Sequence, residues 1–437
     1  MGGNQLPRGW STRSVGQVFD MQLGKMLSKE ASAGSHQRAY LANRHVQWDY
    51  VDLDELNTMS FTPAEREKYA LSPGDLLVCE GGEVGRTALW RGERGEVYFQ
   101  KAIHRLRPSN QEVLSRYMLR FMRFAADRGL FSDLSSQTSI THLTQEKLAQ
   151  LAVPLPPPPE QHRIAEILDT IDEAIRKAEQ VIAKLQQMKQ GLLHDLLTRG
   201  IDENGESRDP ERHPEQFKDS PLGCIPKGWE LLRLGEVIRR FGGLIQTGPF
   251  GSQLHANEYV EVGVPVVMPQ DIRDDGIDLS NIARITDRKA AELGRHRMQG
   301  NDAVFARRGD LSRCLAVSED EVGWLCGTGC LLVRVPESKA VAGWLTAVYR
   351  HDLGQRQVLA RAVGSTMVNL NGSILAALHV PLPPVSEQRH FVEEVRSLGV
   401  RVATEANGLA KLRSLKQGLM DDLLTGRVRV SVPEEAA

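Results

Sequence analysis

Two long stretches of the chain carry apolar residues at spacings that alternate between four and three. This heptad spacing predicts helices with a continuous apolar seam. Two such seams in one chain predict an antiparallel coiled coil, whereas a helix of a core bundle is the alternative for either seam alone. The first seam is Ile164, Leu168, Ile171, Ile175, Ala178, Ile182 and Leu185, and its copy is Phe391, Val395, Leu398, Val402, Leu409 and Leu412, with Glu405 as a single polar exception.

The segments that precede these helices contain short apolar runs bounded by glycine or proline. Residues 75–79 and 263–268 are examples, and such runs are typical of buried strands. Proline-rich segments at 154–159 and 381–384 then lead into each helix. Because a run of prolines is stiff, it should give the helix a fixed direction.

The chain contains a long internal repeat. Most of the matching segments are 227 residues apart, but the first pair is 219 apart, so we expect eight extra residues in the second globular half. A repeat of this length predicts a duplicated module with its two copies in a pseudo-twofold relation. The matching pairs are 7–10 with 226–229, 153–157 with 380–384, 160–161 with 387–388, 189–192 with 416–419, and 195–198 with 422–425.

The repeat predicts an α+β protein with two mixed α/β domains separated by two long helices that form an antiparallel coiled coil. The segment between the copies is acidic, with seven Asp/Glu against three Lys/Arg, and suits an exposed linker. The predicted parts are domain 1 (1–153), a proximal helical region (154–200), the linker (201–220), domain 2 (221–380), a distal helical region (381–428) and a C-terminal tail (429–437).

Composition narrows the class of protein. The 437 residues suit two to four domains, and a net charge of −2 does not suit a protein that coats nucleic acid indiscriminately. The sequence shows no apolar run long enough to span a membrane and no N-terminal leader pattern. Five scattered cysteines suggest free thiols in a reducing cytoplasm.

Motifs for catalysis are absent from the sequence. The only Gly-Lys pair is followed by Met26, so there is no phosphate-binding loop, and no motif of a DNA-amino methyltransferase occurs. Cys326 and Cys330 lack the spacing of a zinc site and suit a tight turn better. We therefore expect a non-catalytic protein that binds no metal or cofactor itself.

Each predicted domain has one stretch with excess positive charge. Residues 86–128 hold ten Lys/Arg against four Asp/Glu, and residues 284–313 hold eight against four. Local positive faces of this kind suit contacts with DNA phosphates. An ordinary solvated surface is the alternative on charge alone.

The order of these motifs resembles the specificity subunit of a type I restriction–modification enzyme, and the resemblance spans nearly the whole chain. One departure is that Gln137-Thr138-Ser139 stands where the second copy has Gly364-Ser365-Thr366. The segments that carry the resemblance are 7–10, 73–77, 82–86, 153–157, 160–161 and 189–193 in the first copy, and 226–229, 248–252, 301–302, 309–310, 364–366, 381–384 and 387–388 in the second.

The resemblance implies that domains 1 and 2 are target-recognition domains, each reading half of a bipartite DNA site, with the coiled coil setting the gap. It further implies two modification subunits that use S-adenosylmethionine to methylate adenine, and restriction subunits that use ATP and Mg²⁺. We expect no membrane among the partners. Alternatives are the specificity unit of a related phage-defence methylation system and a coiled-coil scaffold that does not bind DNA.

Candidate DNA-binding residues are polar or basic residues in predicted loops, because base edges are read by Arg, Lys, Asn and Gln donors. Arg86 and Arg313 are further supported by their equivalence in the repeat. In domain 1 the candidates are Lys25, Arg44, Gln47, Arg86, Lys101, Gln137, Thr138 and Ser139. In domain 2 they are Gln246, Thr247, Ser252, Gln253, Gln270, Arg307, Arg308, Arg313, Ser365 and Thr366.

Overall fold

The structure is a computed structural model that describes residues 6–131, 142–202, 205–274, 276–362 and 369–431. The chain divides into two compact units, Met1–Gln180 with Asn407–Ala437, and Val181–Ala406. Unit 1 therefore contains domain 1, and unit 2 contains domain 2. Each unit also contains part of both long helices.

Domain 1 is built on two sheets. The strands run in the orders β2-β8-β5-β6 and β4-β3-β7, and only the β3–β7 pair is parallel. The strands are β1 Ser11–Ser14, β2 Phe19–Leu23, β3 Gln37–Leu41, β4 Asn57–Ser60, β5 Leu76–Cys79, β6 Thr87–Leu89, β7 Tyr98–Phe99, β8 Ile103–Pro108 and β9 Ala152–Leu155. The helices are α1 Val15–Val18, α2 Lys29–Ala33, α3 Pro63–Tyr69, α4 Ser115–Asp127 and α5 Gln145–Gln150.

Strand β5 shows why its sequence is apolar throughout. Leu76 and Val78 pack in the core that α4 covers, whereas Leu77 and Cys79 pack in the core on the opposite face. Side chains of a strand alternate between its two faces, so burial of both faces requires a continuous apolar run.

Domain 2 repeats this strand order with one additional edge strand, β14. Its sheets run β13-β22-β19-β20 and β14-β18-β15-β21, with β15–β21 as the parallel pair. The strands are β10 Phe217–Ser220, β11 Gly223–Pro226, β12 Glu230–Arg233, β13 Leu244–Thr247, β14 Tyr259–Val260, β15 Val264–Val267, β16 Ile272–Arg273, β17 Gly276–Ile277, β18 Ala283–Ile285, β19 Asp302–Ala306, β20 Cys314–Ala316, β21 Leu325–Cys326, β22 Cys330–Arg334 and β23 His379–Leu382.

The extra residues of domain 2 begin at its first helix. Helix α7 has eight residues where its counterpart α1 has four. The long helices are α6 Pro158–Thr198 and α12 Val385–Leu423. The remaining helices are α7 Leu234–Phe241, α8 Asp287–Glu292, α9 Ala342–Arg350, α10 Asp352–Ala362 and α11 Gly372–Ala376.

The long helices pack antiparallel within each unit. In unit 1, Arg413 donates to Glu179 at 2.7 Å and Lys416 lies 2.5 Å from Asp172, so residue numbers fall on α12 as they rise on α6. In unit 2, Leu196 of α6 and Phe391 of α12 belong to one core. Every apolar position of the two predicted seams is buried or half-buried, whereas Glu405 is exposed.

The glutamate of the repeated Glu-Gln pair joins each domain to its helix. In unit 1, the indole Nε1 of Trp10 donates to Glu160 at 2.6 Å, and Arg429 of the C-terminal segment donates to the same carboxylate at 2.9 Å. A buried carboxylate is stable only when it is paired in this way. Unit 2 repeats the arrangement with Trp229, Glu387 and Arg208.

The glutamine of the pair holds the start of a helix in the domain. Gln161 accepts from the backbone N–H of Leu114 at 2.8 Å, just before α4, and donates to the Glu112 carbonyl at 2.6 Å. Gln388 makes the same two bonds to Val341 and Lys339 before α9. The repeated motif thus fixes the same domain–helix junction twice.

Candidate nucleic-acid interface

A hairpin loop at one end of each large sheet carries an arginine that several hydrogen bonds hold in place. The loops join β5 to β6 and β19 to β20, and their residues are 227 apart. Gly82 and Gly309 both have a φ of +74°, which suits glycine in a tight turn. Arg86 then pairs with Glu83 at 3.5 Å, and Arg313 pairs with Asp310 at 3.4 Å.

These arginines also fasten the hairpin to the segment after β3 or β15. Arg86 donates to the Asn43 carbonyl at 2.9 Å, and its side chain is 15% exposed. Arg313 donates to the carbonyls of Pro269 and Gln270 at 3.3 and 3.4 Å. The structure therefore gives the two arginines the same positioning contacts.

Domain 2 has an open cavity of 460 Å³ between these segments. The exposed carboxamide of Gln270 and the exposed guanidinium of Arg308 stand at it, and neither has a hydrogen-bond partner in the described part of the chain. Glutamine suits bidentate bonds to adenine, and arginine suits guanine. The cavity is lined by Met268, Pro269, Gln270, Arg308, Gly309, Asp310, Arg313 and Gly329.

At the corresponding place in domain 1 the polar side chain is already bonded within the domain. Asn43, 227 residues before Gln270, donates its amide to the Gly81 carbonyl at 2.8 Å, and Gly81 stands where domain 2 has Arg308. The Asn43 Oδ1 atom is buried without a partner among the residues the structure describes. Sequence reasoning missed Asn43, although the offset of the repeat would have found it from Gln270.

The other candidates of domain 1 differ in how free they are. Lys25 donates to the Ser60 carbonyl and to Glu65, both at 2.7 Å, so its charge is already paired. Arg44 donates to the Glu55 carbonyl at 3.0 Å, and Gln47 donates to the Arg44 carbonyl at 2.6 Å. Lys101 is exposed, and its ammonium has no partner within the described ranges.

Among the other candidates of domain 2, some side chains are likewise hydrogen-bonded within the domain and others are free. Gln246 donates to the Arg295 carbonyl at 3.1 Å, and Arg307 donates to the Leu370 carbonyl at 3.2 Å. Gln253 accepts from the Phe250 N–H at 3.3 Å. The hydroxyls of Thr247, half-buried, and Ser252, exposed, have no bond in the part of the chain that is described. Gln137, Thr138, Ser139, Ser365 and Thr366 lie outside the described residues.

Ionisable groups near the hairpins have environments that suit structural roles. Hydrogen bonds from Ser312 lower the pKa of Asp310, so this carboxylate remains charged beside Arg313. Burial raises the pKa of Cys79 to about 11 and that of Cys314 to about 12, so neither thiol is a ready nucleophile at neutral pH. Within the described ranges no cluster of three or more His, Cys, Asp or Glu could hold a metal ion.

The described helices are all too short or too polar to cross a lipid bilayer. Fold and site together define a duplicated recognition protein, with two sheet domains that expose different polar groups and two long packed helices. Residues 7–187 match the family model for the type I restriction modification DNA specificity domain.

Curated relatives match along almost the whole chain. The type I restriction enzyme MjaVIII specificity subunit of Methanocaldococcus jannaschii is 22% identical over 442 residues, which cover 98% of this chain and 95% of the relative. The EcoKI specificity subunit of Escherichia coli K12 is 23% identical over 459 residues, covering 98% and 91%. These likenesses, which extend along nearly the whole chain, support a specificity subunit of a type I restriction–modification system, a non-catalytic subunit that determines DNA target recognition.

Solved structures show the same fold. The type I S subunit from M. genitalium has a TM-score of 0.57 at 17% identity, covering 97% of this chain and 98% of that one. The HsdS subunit from Thermoanaerobacter tengcongensis has a TM-score of 0.51 at 19% identity, covering 98% and 99%. The expected α+β architecture with two long packed helices is confirmed by these likenesses.

Proposed function

We propose that this specificity subunit reads a bipartite, asymmetric DNA target, with domain 1 on one half-site and domain 2 on the other. The observation that carries the proposal is the difference at one repeated place in the fold. Domain 2 presents Gln270 and Arg308 as free donors, whereas domain 1 has Asn43 bonded to Gly81. Two domains with the same fold but different exposed hydrogen-bond donors suit two half-sites of different sequence.

The partners in this proposal are two modification subunits, which use S-adenosylmethionine to methylate adenine, and restriction subunits, which use ATP and Mg²⁺. The modification subunits dock on the helical regions, where the repeated motifs are identical. This suits the binding of two copies of one partner. Five free cysteines agree with a protein that works in a reducing cytoplasm.

Specificity in this proposal comes from linked half-sites. A wrong base pair costs about 1–3 kcal/mol, so each domain alone discriminates modestly. Linking two modest readers raises their effective concentration only when both half-sites are reached together. The long helices then determine the preferred number of base pairs between the half-sites.

The main test is methylome sequencing of a methylation-free host that expresses this chain with its modification subunits. We expect a bipartite motif, and we expect Gln270→Ala to relax one base position in one half-site. Gln299→Ala, an exposed glutamine of domain 2 outside the cavity, is the matched control. Methylation without a defined motif would contradict the proposed function, and an unchanged motif in the Gln270 variant would contradict the assignment of that residue.

The role of the helices has its own test. Seven residues are inserted into α6 after Gln180 and into α12 after Asn407, so that the heptad seam stays in phase. At ~1.5 Å per helical residue and ~3.4 Å per base step, the gap should grow by about three base pairs while both half-sites stay the same. The same insertion in the linker at Gly205 is the control. An unchanged gap would contradict the proposed role of the helices.

A further inference from the structure

Just after the edge strand of its large sheet, domain 1 exposes the apolar side chains of Met26 and, to a lesser extent, Leu27, and domain 2 exposes that of Phe250. Met26 follows β2 and is 61% exposed, and Phe250 follows β13 and is 58% exposed. Leaving apolar area in water forgoes ~25 cal/mol per Å² of stabilisation. A side chain held outward at the same place in both domains therefore suggests a binding role.

The two side chains occupy equivalent places because equivalent glycines set their turns. Gly24 and Gly248 end the two strands and donate to the carbonyls of Ile103 and Cys330 at 3.0 and 3.1 Å. A Cβ on Gly24 would lie 2.2 Å from the carbonyl oxygen of Gln100, and a Cβ on Gly248 would lie 1.8 Å from that of Gly327. Only glycine permits this close approach, and Met26 and Phe250 both stand two residues further on.

The turns adjoin groups that suit DNA. In domain 1, the N–H of Lys101 donates to the Lys25 carbonyl at 2.7 Å, so the free ammonium of Lys101 belongs to the turn between β7 and β8 that is bonded beside Met26. In domain 2, Gly327 packs against both Gly248 and Met268, and Met268 lines the open cavity. Each exposed apolar side chain thus follows a turn fixed beside candidate phosphate-binding or base-reading groups.

We propose that Met26 and Phe250 are wedge residues, side chains that insert into the base stack of DNA, one in each half-site. The inference rests on the proposed function and adds how each half-site is deformed. Apolar wedges between base steps partly unstack the duplex and kink it. Unstacking next to a target adenine also lowers the cost of flipping that base out for a modification subunit.

The divergence of these turns favours DNA over a protein partner. The first reads Gly-Lys-Met and the second Gly-Pro-Phe, whereas the helix segments 189–192 and 416–419 are identical. A partner present in two copies would select the same contact twice. Two half-sites of different sequence would select different wedges.

The test uses the complex of this chain with its modification subunits, bound to target duplexes that carry 2-aminopurine at one position at a time. For the complex with the original chain we expect a rise in fluorescence at one step in each half-site in addition to the rise at the flipped target adenine, since 2-aminopurine brightens when it unstacks. Phe250→Ala should abolish the rise in the second half-site only and weaken binding about tenfold, because the wedge contact is lost. Met26→Ala should act on the first half-site only.

Two variants and one altered duplex sharpen the test. Phe250→Met should keep the signal, since methionine occupies this place in domain 1. Val262→Ala, which changes an 87% exposed apolar residue of domain 2, should behave like the unmodified chain. A duplex with a mismatch at the wedge step should restore the affinity of Phe250→Ala, since the unstacking cost is already reduced.

The possible failures are separable. If the complex that contains the original chain shows no preference for any DNA sequence, the proposed function fails. If it binds its target and Phe250→Ala keeps both affinity and fluorescence, the wedge alone is refuted. If Phe250→Ala weakens assembly with the modification subunit but the assembled complex binds DNA as before, the residue is a protein contact and the wedge is again refuted.

Discussion

Domains 1 and 2 are joined to the long helices by the same hydrogen bonds of the Glu-Gln pair, but the neighbouring contacts between domain and helix differ. We call these neighbouring contacts the clamp of each domain. In domain 1, Arg120 of α4 has a side chain that is only 7% exposed. It donates to Asp169 of α6 at 2.9 and 2.6 Å and to Asp49 at 2.7 Å, and it lies 2.7 Å from Asp172 of α6. Arg116 of α4 pairs with the same Asp169.

In domain 2 the equivalent positions cannot form this cluster. Position 347 is alanine and position 396 is arginine, where domain 1 has Arg120 and Asp169. Instead, Gly343 lets α9 approach α12 so closely that a Cβ there would lie 2.7 Å from Cγ2 of Val392. One domain is clamped by charge, and the other by close apolar packing.

The comparison shows which features of the duplicated module are constrained. The hydroxyl of Tyr117 donates to the Pro154 carbonyl at 2.7 Å, and the indole of Trp344 donates to the Pro381 carbonyl at 2.8 Å. Both copies therefore make the same hydrogen bonds between domain and long helix, here and at the Glu-Gln pair. The contacts of the clamp beside them are ionic in one copy and apolar in the other.

The charged clamp also reaches a loop of domain 1. Asp49 has a φ of +70°, and its neighbour Trp48 lies 4.7 Å from the Arg123 guanidinium and donates to Glu83. Glu83 is in the hairpin that Arg86 holds. In domain 1, therefore, the candidate interface and the helix are connected through Arg120.

The largest expected effect comes from Arg120→Met. Removing the buried guanidinium leaves Asp49 without its ion-pair partner and leaves Asp169 and Asp172 with only Arg116 and Lys416, and we expect unit 1 to lose about 3 kcal/mol of unfolding free energy. Hydrogen exchange, resolved by segment, measures the two units separately. Arg288→Met, at an arginine whose side chain is 91% exposed, is the control and should change stability by less than about 0.5 kcal/mol. An equal loss of stability in unit 2 would contradict the conclusion that the charged clamp stabilises unit 1 alone.

The second effect probes the apolar clamp. Gly343→Val adds a Cβ and two methyl groups where the Cβ alone already meets Val392, so we expect unit 2 to lose about 2 kcal/mol through overpacking. Gly408→Ala is the matched control, because a Cβ at Gly408 meets no atom within 4 Å. It should be neutral or slightly stabilising, since alanine favours helix over glycine. Tolerance of Gly343→Val would show that close approach is not what holds domain 2.

The third effect is acid sensitivity of unit 1. Burial raises the pKa of Asp169, but hydrogen bonds from Arg116 and Arg120 outweigh it and leave the pKa below its usual value of 3.8. A carboxylate with a lowered folded pKa stabilises the fold above that usual value, and this stabilisation is lost as the pH falls through the folded pKa. Asp169 should therefore contribute about 1 kcal/mol to the stability of unit 1 that is lost between about pH 5 and pH 2. Asp169→Asn should remove this contribution from the pH dependence of unit 1, as hydrogen exchange measures it.

The sequence predicted those parts of the fold that depend on periodic patterns. The heptad positions from Ile164 to Leu185 indicated a seam, and the apolar run at Leu76–Val78 indicated a buried strand, because burial of one or both faces imposes a period. The repeat also paired Glu160-Gln161 with Glu387-Gln388, because the motif stands at the same offset as its neighbours in both copies. Its hydrogen bonds to Trp10 and Trp229 required the structure.

The candidate site was less predictable, because free and paired donors look alike in sequence. Lys25 is bonded to Glu65, forty residues away, and Arg86 to Asn43, whereas Lys101 and Arg308 are free in the described part of the chain. Pairing across such distances depends on how strands meet, which no local pattern encodes. Met26 and Phe250 were missed because the offset between their turns is 224 rather than 227.

The smallest expected effect separates the two arginines of the charged clamp. Arg116 shares Asp169 with Arg120, but its side chain is 50% exposed. Because Arg120 still neutralises Asp169, Arg116→Ala should cost unit 1 only about 0.5 kcal/mol, and about 1 M salt should abolish that cost by screening. The loss in Arg120→Met should persist in salt, since a buried pair is screened much less. Equal salt sensitivity of the two variants would show that water reaches the whole cluster, and domain 1 would then be held, like domain 2, by its apolar contacts.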